Sequence, residues 1–163
     1  MLSKTPVADA KKIVSARRFS LIESVELILA LLAAAILTYY VFLDNGRVLI
    51  LPNGKRLNLE VRDDEIGRVQ GLSGRSSLSE SSAMLFVFDI ESDRYCFWMK
   101  GMKFDIDILW LDSKKRIVDA KYAASPSSYP EEFCPKSAAR YVLELPAGQA
   151  LKNGLIIGVQ TKF

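Results

Sequence analysis

The sequence predicts an α+β fold, mostly β: one transmembrane helix, then a small, curled, barrel-like sheet of antiparallel or mixed strands with two short helices. Three observations predict it. Residues 83–112 contain three blocks rich in β-branched and aromatic residues, separated by polar turns. Similar short blocks precede and follow this stretch. Residues 27–43 carry no charge, which is typical of a helix in a membrane.

The N-terminal segment is predicted to be a membrane anchor. Residues 21–43 include the uncharged stretch, with Glu23 and Glu26 near enough to one end to lie at head-group depth. Basic residues are concentrated before the segment, which predicts a cytoplasmic basic tail over residues 1–20 and an extracytoplasmic domain over residues 46–163. A buried globular helix and a cleaved signal peptide are the alternatives. We therefore expect a signal-anchored, single-pass protein of the plasma membrane.

The composition restricts the function classes. The net charge of +3 shows no basic stripe of the kind that binds nucleic acid. There is no His, and the two Cys lack Cys-x-x-Cys spacing, so no metal site and no cofactor are expected. This composition favours a binding or structural domain over an enzyme.

The first part of the exported domain is predicted to be a hairpin followed by a short helix. Asn53-Gly54 is a strong hairpin signal between residues 47–51 and the alternating residues 57–61. Asp63 or Asp64 is expected to cap a helix through about residue 71, with Ile66 and Val69 turned inward.

The central stretch is predicted to form three consecutive strands of one sheet. Its first block, residues 84–88, is apolar on both faces, and its third block places Asp107 among apolar neighbours. A further strand over residues 116–122 precedes a long loop over residues 123–136. A strand at 141–145, a short helix ending before Gly154 and a last strand at 155–162 complete the chain.

Several side chains are candidates for a site, and each has a structural alternative. Lys100 beside Asp105 and Asp107 is either a lysine tuned by carboxylates or a structural ion pair. Phe97 and Trp98 form either a ligand platform or part of the core. Arg75, in a Gly-flanked loop, either grips an anion or a carboxylate with its guanidinium fork or is solvated. The nearby serines have no base beside them, which argues against a serine nucleophile.

Cys96 and Cys134 are predicted to form a disulfide. They are the only two Cys, in a domain predicted to face an oxidising compartment, and the alternative is a pair of buried thiols. Phe133 would pack on the sheet and carry Cys134 to the strand that holds Cys96. The bond would then fix the long loop as a wall beside Trp98 and Lys100.

The chain from about residue 48 to 159 resembles the family called domain of unknown function 192 (DUF192). The matching blocks occur in order: GLSGR at 71–75, MLFVF at 84–88, FWMK at 97–100, DI at 107–108 with LD at 111–112, and YVLELPAG at 141–148. The chain departs from the family at Ser73, Ala83, Asp105 and the pair Gly101-Met102, where the family usually has Met, Gly, Pro and Asn-Thr. The resemblance leaves Asp107 as the matched acid. It implies a compact, mostly β domain, often exported, with no established activity.

Two functions remain open from the sequence. The first is a membrane-tethered extracytoplasmic module that binds an envelope protein or polymer through the face around Arg75, Trp98 and Lys100. The alternative is an envelope hydrolase or transferase that uses Asp107, Glu144 and Lys100. An enzyme requires these groups to converge on one cleft, so the faces of Asp107 and Glu144 distinguish the two.

Overall fold

A computed structural model describes residues 23–39 and 48–163 of the chain. The chain divides into two compact units between Asp44 and Asn45. The predicted cytoplasmic tail, residues 1–20, lies outside the described residues, and the predicted anchor, residues 21–43, is described only over 23–39.

Residues 23–39 form a helix, α1. Its apolar side chains are exposed, as Leu27 and Leu31 illustrate at 63% and 62%. Within the described parts of the chain, no helix has both the length and the apolar character needed to cross a membrane.

Over the described residues 48–163, the second unit consists of strands with two short α-helices and a 3-10 helix at Pro126–Ser128. The α-helices are α2 (Glu65–Gln70) and α3 (Gln149–Lys152). The strands, in chain order, are β1 (Val48–Ile50), β2 (Arg56–Arg62), β3 (Ser82–Ser92), β4 (Phe97–Trp98), β5 (Ile106–Leu111), β6 (Ile117–Ala124), β7 (Glu132–Phe133) and β8 (Ala139–Pro146). The predicted mostly-β α+β fold is therefore confirmed.

Six of the strands form one mixed sheet in the order β1-β2-β3-β8-β5-β6. Only the β2–β3 pair is parallel among these neighbours. The sheet is not closed into a barrel, so the barrel-like prediction was wrong. Alternating patterns predict strands, but closure depends on whether the two edge strands pair with each other.

The predicted last strand was wrong too. Residues 155–162 contribute only single bridges, from Gln160 to Arg116 and from Lys162 to Ile50.

Both faces of the central strands are buried, as the sequence predicted for β3. One face carries core 1, which includes Leu85, Leu109 and Leu143 and is covered from the C-terminal part by Ala150 and Leu155. The other face carries core 2, built around Met84, Phe86, Ile108, Trp110 and Val142 and covered by Leu72, Met99 and Phe133. Alternation along the central strands places successive residues on opposite faces, and so in different cores.

β4 does not belong to the main sheet, which corrects the prediction of three consecutive strands in one sheet. It pairs with β7 in a separate two-stranded sheet, where Phe97 lies opposite Phe133 and Trp98 opposite Glu132. The partner strand lies in the predicted long loop, so a distant segment fixes the position of β4.

α2 begins where the sequence predicted, but its orientation was predicted wrongly. The Asp64 side chain accepts a hydrogen bond from the Gly67 backbone N–H, as an N-cap residue does. Ile66 and Val69 are 81% and 79% exposed, although they were expected to turn inward. A pair of apolar residues three apart identifies one helix face, but it does not ensure that another element covers that face.

Candidate functional site

A cavity of about 360 Å³ lies on the core 2 side of the sheet. α2 and the loop after it line one side, and the segment from Arg94 to Trp98 lines another. Phe86, Phe88 and Glu144, which project from β3 and β8, complete the lining with Met102 and Glu132. The volume lies within the range of roughly 300–1,000 Å³ that is usual for small-ligand sites.

Glu144 is a buried acid in this lining. The register places it opposite Met84 on β3 and Ile108 on β5, so its side chain shares their face. The residue is 5% exposed, and its Oε2 atom has no hydrogen-bond partner among the described residues. Burial raises the pKa of Glu144 to about 8, and the positive charge of Arg75 opposes this shift only in part. At neutral pH the side chain is therefore a neutral carboxylic acid.

Arg75 forms an ion pair with Glu60, a residue that was not among the candidates from the sequence. Its two terminal nitrogens donate to the two carboxylate oxygens of Glu60, at 2.8 and 2.7 Å. The hydrogen bond from Arg75 lowers the pKa of Glu60, and the same bond raises the pKa of Arg75. Glu60 alternates with core residues on β2, a pattern that looks solvent-facing in the sequence. Of the alternatives for Arg75, the grip on a carboxylate is the one observed, and the carboxylate belongs to the protein itself.

Trp98 and Lys100 lie together at the surface beside the cavity. The Trp98 side chain is 47% exposed and contributes to the cavity lining. The Lys100 Nζ atom lies 5.3 Å from the Trp98 ring centroid, and the Tyr129 ring lies 5.9 Å away on an edge-to-face contact. Phe97 packs the other way, with its ring 4.9 Å from that of Phe86 in core 2. Trp98 therefore fits the alternative of a ligand platform, and Phe97 fits the alternative of core packing.

Asp107 lies on the opposite face of the sheet. It is fully buried, and its two oxygens accept the backbone N–H groups of Ala123 at 2.9 Å and Ala150 at 3.0 Å. It pairs with Leu145, whereas Glu144 pairs with the next residue, Ile108. Because successive residues point to opposite faces, the two acids are separated by the sheet.

The predicted set of Asp107, Glu144 and Lys100 is therefore not brought together. Asp107 joins β6 to the start of α3 in the core, and Lys100 is exposed. Asp105 is exposed as well, and among the described residues no ion pair joins it to Lys100. The hydrolase or transferase alternative, which needs these groups in one cleft, has no support in this geometry.

The predicted disulfide between Cys96 and Cys134 is present, with Cα atoms 4.1 Å apart. Cys96 and Glu132 both line the cavity, so the bond fixes the wall formed by β4 and β7. Glu132 also lies close to both sulfur atoms. Since the disulfide engages those sulfurs, this cluster offers a single carboxylate rather than a set of thiolate ligands.

Sequence reasoning missed most of the cavity wall. Phe88 and Tyr95 stack with ring centroids 3.6 Å apart, and both line the cavity. Arg68 of α2 donates to the backbone oxygens of Asp63 and Val87, which holds the helix against the end of β3. The contact between Arg68 and Val87 joins two separate elements, and no local sequence pattern predicts it.

The fold and the cavity define a small mixed-sheet domain with a packed core on each face of the sheet and a ligand-sized cavity on the core 2 side. The DUF192 family model, described as "Uncharacterized ACR", matches residues 48–163. The chain belongs to the DUF192 family. The resemblance noted in the sequence is thereby confirmed.

Two curated relatives are UPF0127 proteins of archaea. One, from Thermococcus gammatolerans, is 39% identical over 92 residues, which cover 56% of this chain and 56% of the relative. The other, from Thermococcus kodakarensis, is 34% identical over 91 residues, covering 55% of this chain and 54% of the relative. This chain therefore spans little more than half the length of each of these relatives.

Two crystal structures share the fold. A Sinorhizobium meliloti protein, described as a candidate transcription regulator, has a TM-score of 0.64 at 29% identity and covers 71% of this chain and 89% of that one. A Novosphingobium aromaticivorans protein of unknown function has a TM-score of 0.63 at 19% identity and covers 71% of this chain and 82% of that one.

Proposed function

We propose that this protein is a membrane-tethered, extracytoplasmic binding module whose ligand enters the cavity between α2 and the β4–β7 wall. The observation that carries the proposal is that Glu144 lines this cavity while its buried Oε2 atom has no hydrogen-bond partner among the described residues. A buried polar atom of this kind costs about 1–3 kcal/mol, and such atoms are usually satisfied. A bound ligand would supply the missing partner.

The surface beside the cavity supports the same proposal. Trp98 is 47% exposed next to the mouth, and Ile66 and Val69 of α2 are more exposed still. Aromatic side chains with an exposed face are frequent at binding surfaces. An envelope protein or polymer, or a free small molecule, could present the inserted group at this surface. The regulatory role ascribed to the Sinorhizobium protein is not extended to this chain, whose net charge is only +3.

The tether is proposed from the N-terminal sequence and from α1. Residues 27–43 are uncharged, and the basic residues precede them. The apolar side chains of α1 are exposed over the described residues 23–39, and a lipid bilayer would cover them. The disulfide supports an oxidising location for the domain.

A cavity-blocking variant tests the binding proposal. Gln70 is exposed and lines the cavity, so Gln70→Trp should narrow its mouth; Ser77→Trp, at an exposed position outside the lining, is the matched control. Ligand-observed NMR of the full chain with a library of small aromatic and polar compounds should show binders for the wild type and for Ser77→Trp. These compounds should lose their signal with Gln70→Trp. Binders that all survive in Gln70→Trp, or an absence of binders to the wild type, would refute the proposal.

A further inference from the structure

We infer that the cavity takes a neutral, planar group that presents a hydrogen-bond donor beside an acceptor, such as a carboxamide or a lactam edge, and that this group pairs with Glu144. The inference rests on the proposed function, because it names the ligand class of the same cavity. It stands on the position of Glu144, on the charges around the cavity and on its aromatic lining.

The position of Glu144 favours a neutral partner. Its neighbours across the strands are Met84 and Ile108, both 0% exposed, so the carboxyl group lies in an apolar layer. A protonated carboxyl group offers one O–H donor and one C=O acceptor side by side. A carboxamide or lactam edge matches both at once, whereas a hydroxyl group makes one of these bonds at a time.

The charges that face Glu144 do not favour an ionic ligand. Those in the cavity lining are two acids and two bases: Glu65 and Arg68 of α2, Arg94 before β4, and Glu132 of β7. On the same sheet face, across Met84 from Glu144, is Glu60, which pairs with Arg75 and Arg62. An ammonium ligand would require an ionised Glu144 in an apolar layer and would approach the Arg75 charge. A carboxylate ligand would place its own charge in that layer.

The lining also favours a flat body. Phe86, Tyr95, Phe97 and Trp98 all contribute aromatic side chains to the cavity. Aromatic faces stack on planar groups, and Phe97 is itself held edge-on against Phe86. A volume of about 360 Å³ suits a molecule with one ring and one polar substituent.

Three probes of the same size test the ligand class: benzamide is neutral, benzylamine is a cation and benzoate is an anion. Calorimetric titration of the full chain at pH 6.5 should give the lowest Kd for benzamide, by at least tenfold. The Kd of benzamide should rise about tenfold between pH 7 and pH 9, because only the protonated form of Glu144 donates to the carbonyl oxygen. A lower Kd for benzylamine or benzoate than for benzamide would overturn the inference.

Substitutions at position 144 separate this inference from the proposed function. Glu144→Gln keeps a donor and an acceptor, so it should bind benzamide within threefold of the wild type and without pH dependence. Glu144→Leu should raise the Kd at least tenfold, and Glu131→Gln, at an exposed position outside the lining, should behave as the wild type. If Gln70→Trp abolishes benzamide binding while both Glu144 variants bind as the wild type does, the ligand class is wrong and the proposed function stands. If Gln70→Trp leaves the binding of all three probes unchanged, both the ligand class and the proposed function are overturned.

Discussion

At the scale of single residues, Glu144 and Asp107 show how burial alone does not define a role. Both acids are buried in neighbouring strands, yet Asp107 accepts two backbone N–H groups, whereas Glu144 has a buried oxygen without a partner. Hydrogen bonds from backbone N–H groups stabilise a buried carboxylate, and their absence favours the protonated acid. Asp107 therefore belongs to the architecture and Glu144 to the candidate site.

Glu144 should make the stability of the protein depend on pH. Its pKa is raised from 4.5 to about 8 in the folded state, so the folded chain keeps a proton that the unfolded chain releases between these values. The stabilisation is fully present below pH 4.5 and is lost as the pH rises through 8, in total about 5 kcal/mol relative to Glu144→Gln. Urea unfolding of both proteins at pH 4.5, 6 and 8 measures this difference. Parallel stability curves for the two proteins would show that Glu144 ionises normally in the fold.

Asp107 should be a large contributor to stability with no part in binding. Asp107→Ala leaves the N–H groups of Ala123 and Ala150 without their acceptor, which should cost about 3–5 kcal/mol in the free energy of unfolding. Asp105→Ala, at an exposed position two residues away, is the control and should change it by less than about 0.5 kcal/mol. Chemical denaturation measures both. An equal, small effect of the two substitutions would mean that water replaces the Asp107 carboxylate.

At the scale of secondary-structure elements, the sequence was informative where contacts are local. The Asn53-Gly54 hairpin, the two-faced burial of β3 and the N-cap at Asp64 all follow from patterns within a few residues. The pairing of β4 with β7 was not predictable in this way, because it joins strands 34 or more residues apart in a separate sheet. Of the candidate site, Trp98 and Glu144 were anticipated. Glu60 was not, since only the folded chain shows that Arg75 reaches it.

The disulfide should hold the β4–β7 wall rather than the whole domain. It closes a loop across a separation of 38 residues, and the chain-entropy model assigns such a loop about 4 kcal/mol. In the double variant Cys96→Ser, Cys134→Ser, amide hydrogen exchange should accelerate in β4 and β7 and remain slow in the β1–β2 hairpin. Benzamide should also bind more weakly. Uniform acceleration across all strands would show instead that the bond stabilises the fold globally.

At the scale of the whole molecule, the sequence predicted the class of fold but not the closure of the sheet. Alternation and turn signals identify strands, whereas the order β1-β2-β3-β8-β5-β6 and its open edges depend on contacts across the full chain. The two-core arrangement follows from strands that are apolar on both faces, such as β5. The cavity is lined by residues from several elements that are far apart in sequence, so its position could not be predicted from any one segment.

The location of the domain is a prediction at this same scale. The basic residues before residue 21 favour a cytoplasmic N-terminus, so a reporter enzyme active only outside the cytoplasm should work when fused after Phe163. A reporter active only in the cytoplasm, fused at the same point, should be silent. The reverse pattern would place the domain in the cytoplasm, and an oxidising compartment could then not explain the disulfide.

The ionisation of Glu144 tests the central claim most directly, because the binding proposal depends on a buried, neutral carboxyl group beside the cavity. Carbon-detected NMR of the Glu144 side-chain carboxyl carbon, followed from pH 4 to pH 10, reports the pKa of this group. The account predicts a midpoint near 8 in the free protein and a higher midpoint when benzamide is saturating, since the ligand binds the protonated form. A midpoint near 4.5, or one that benzamide does not move, would contradict it.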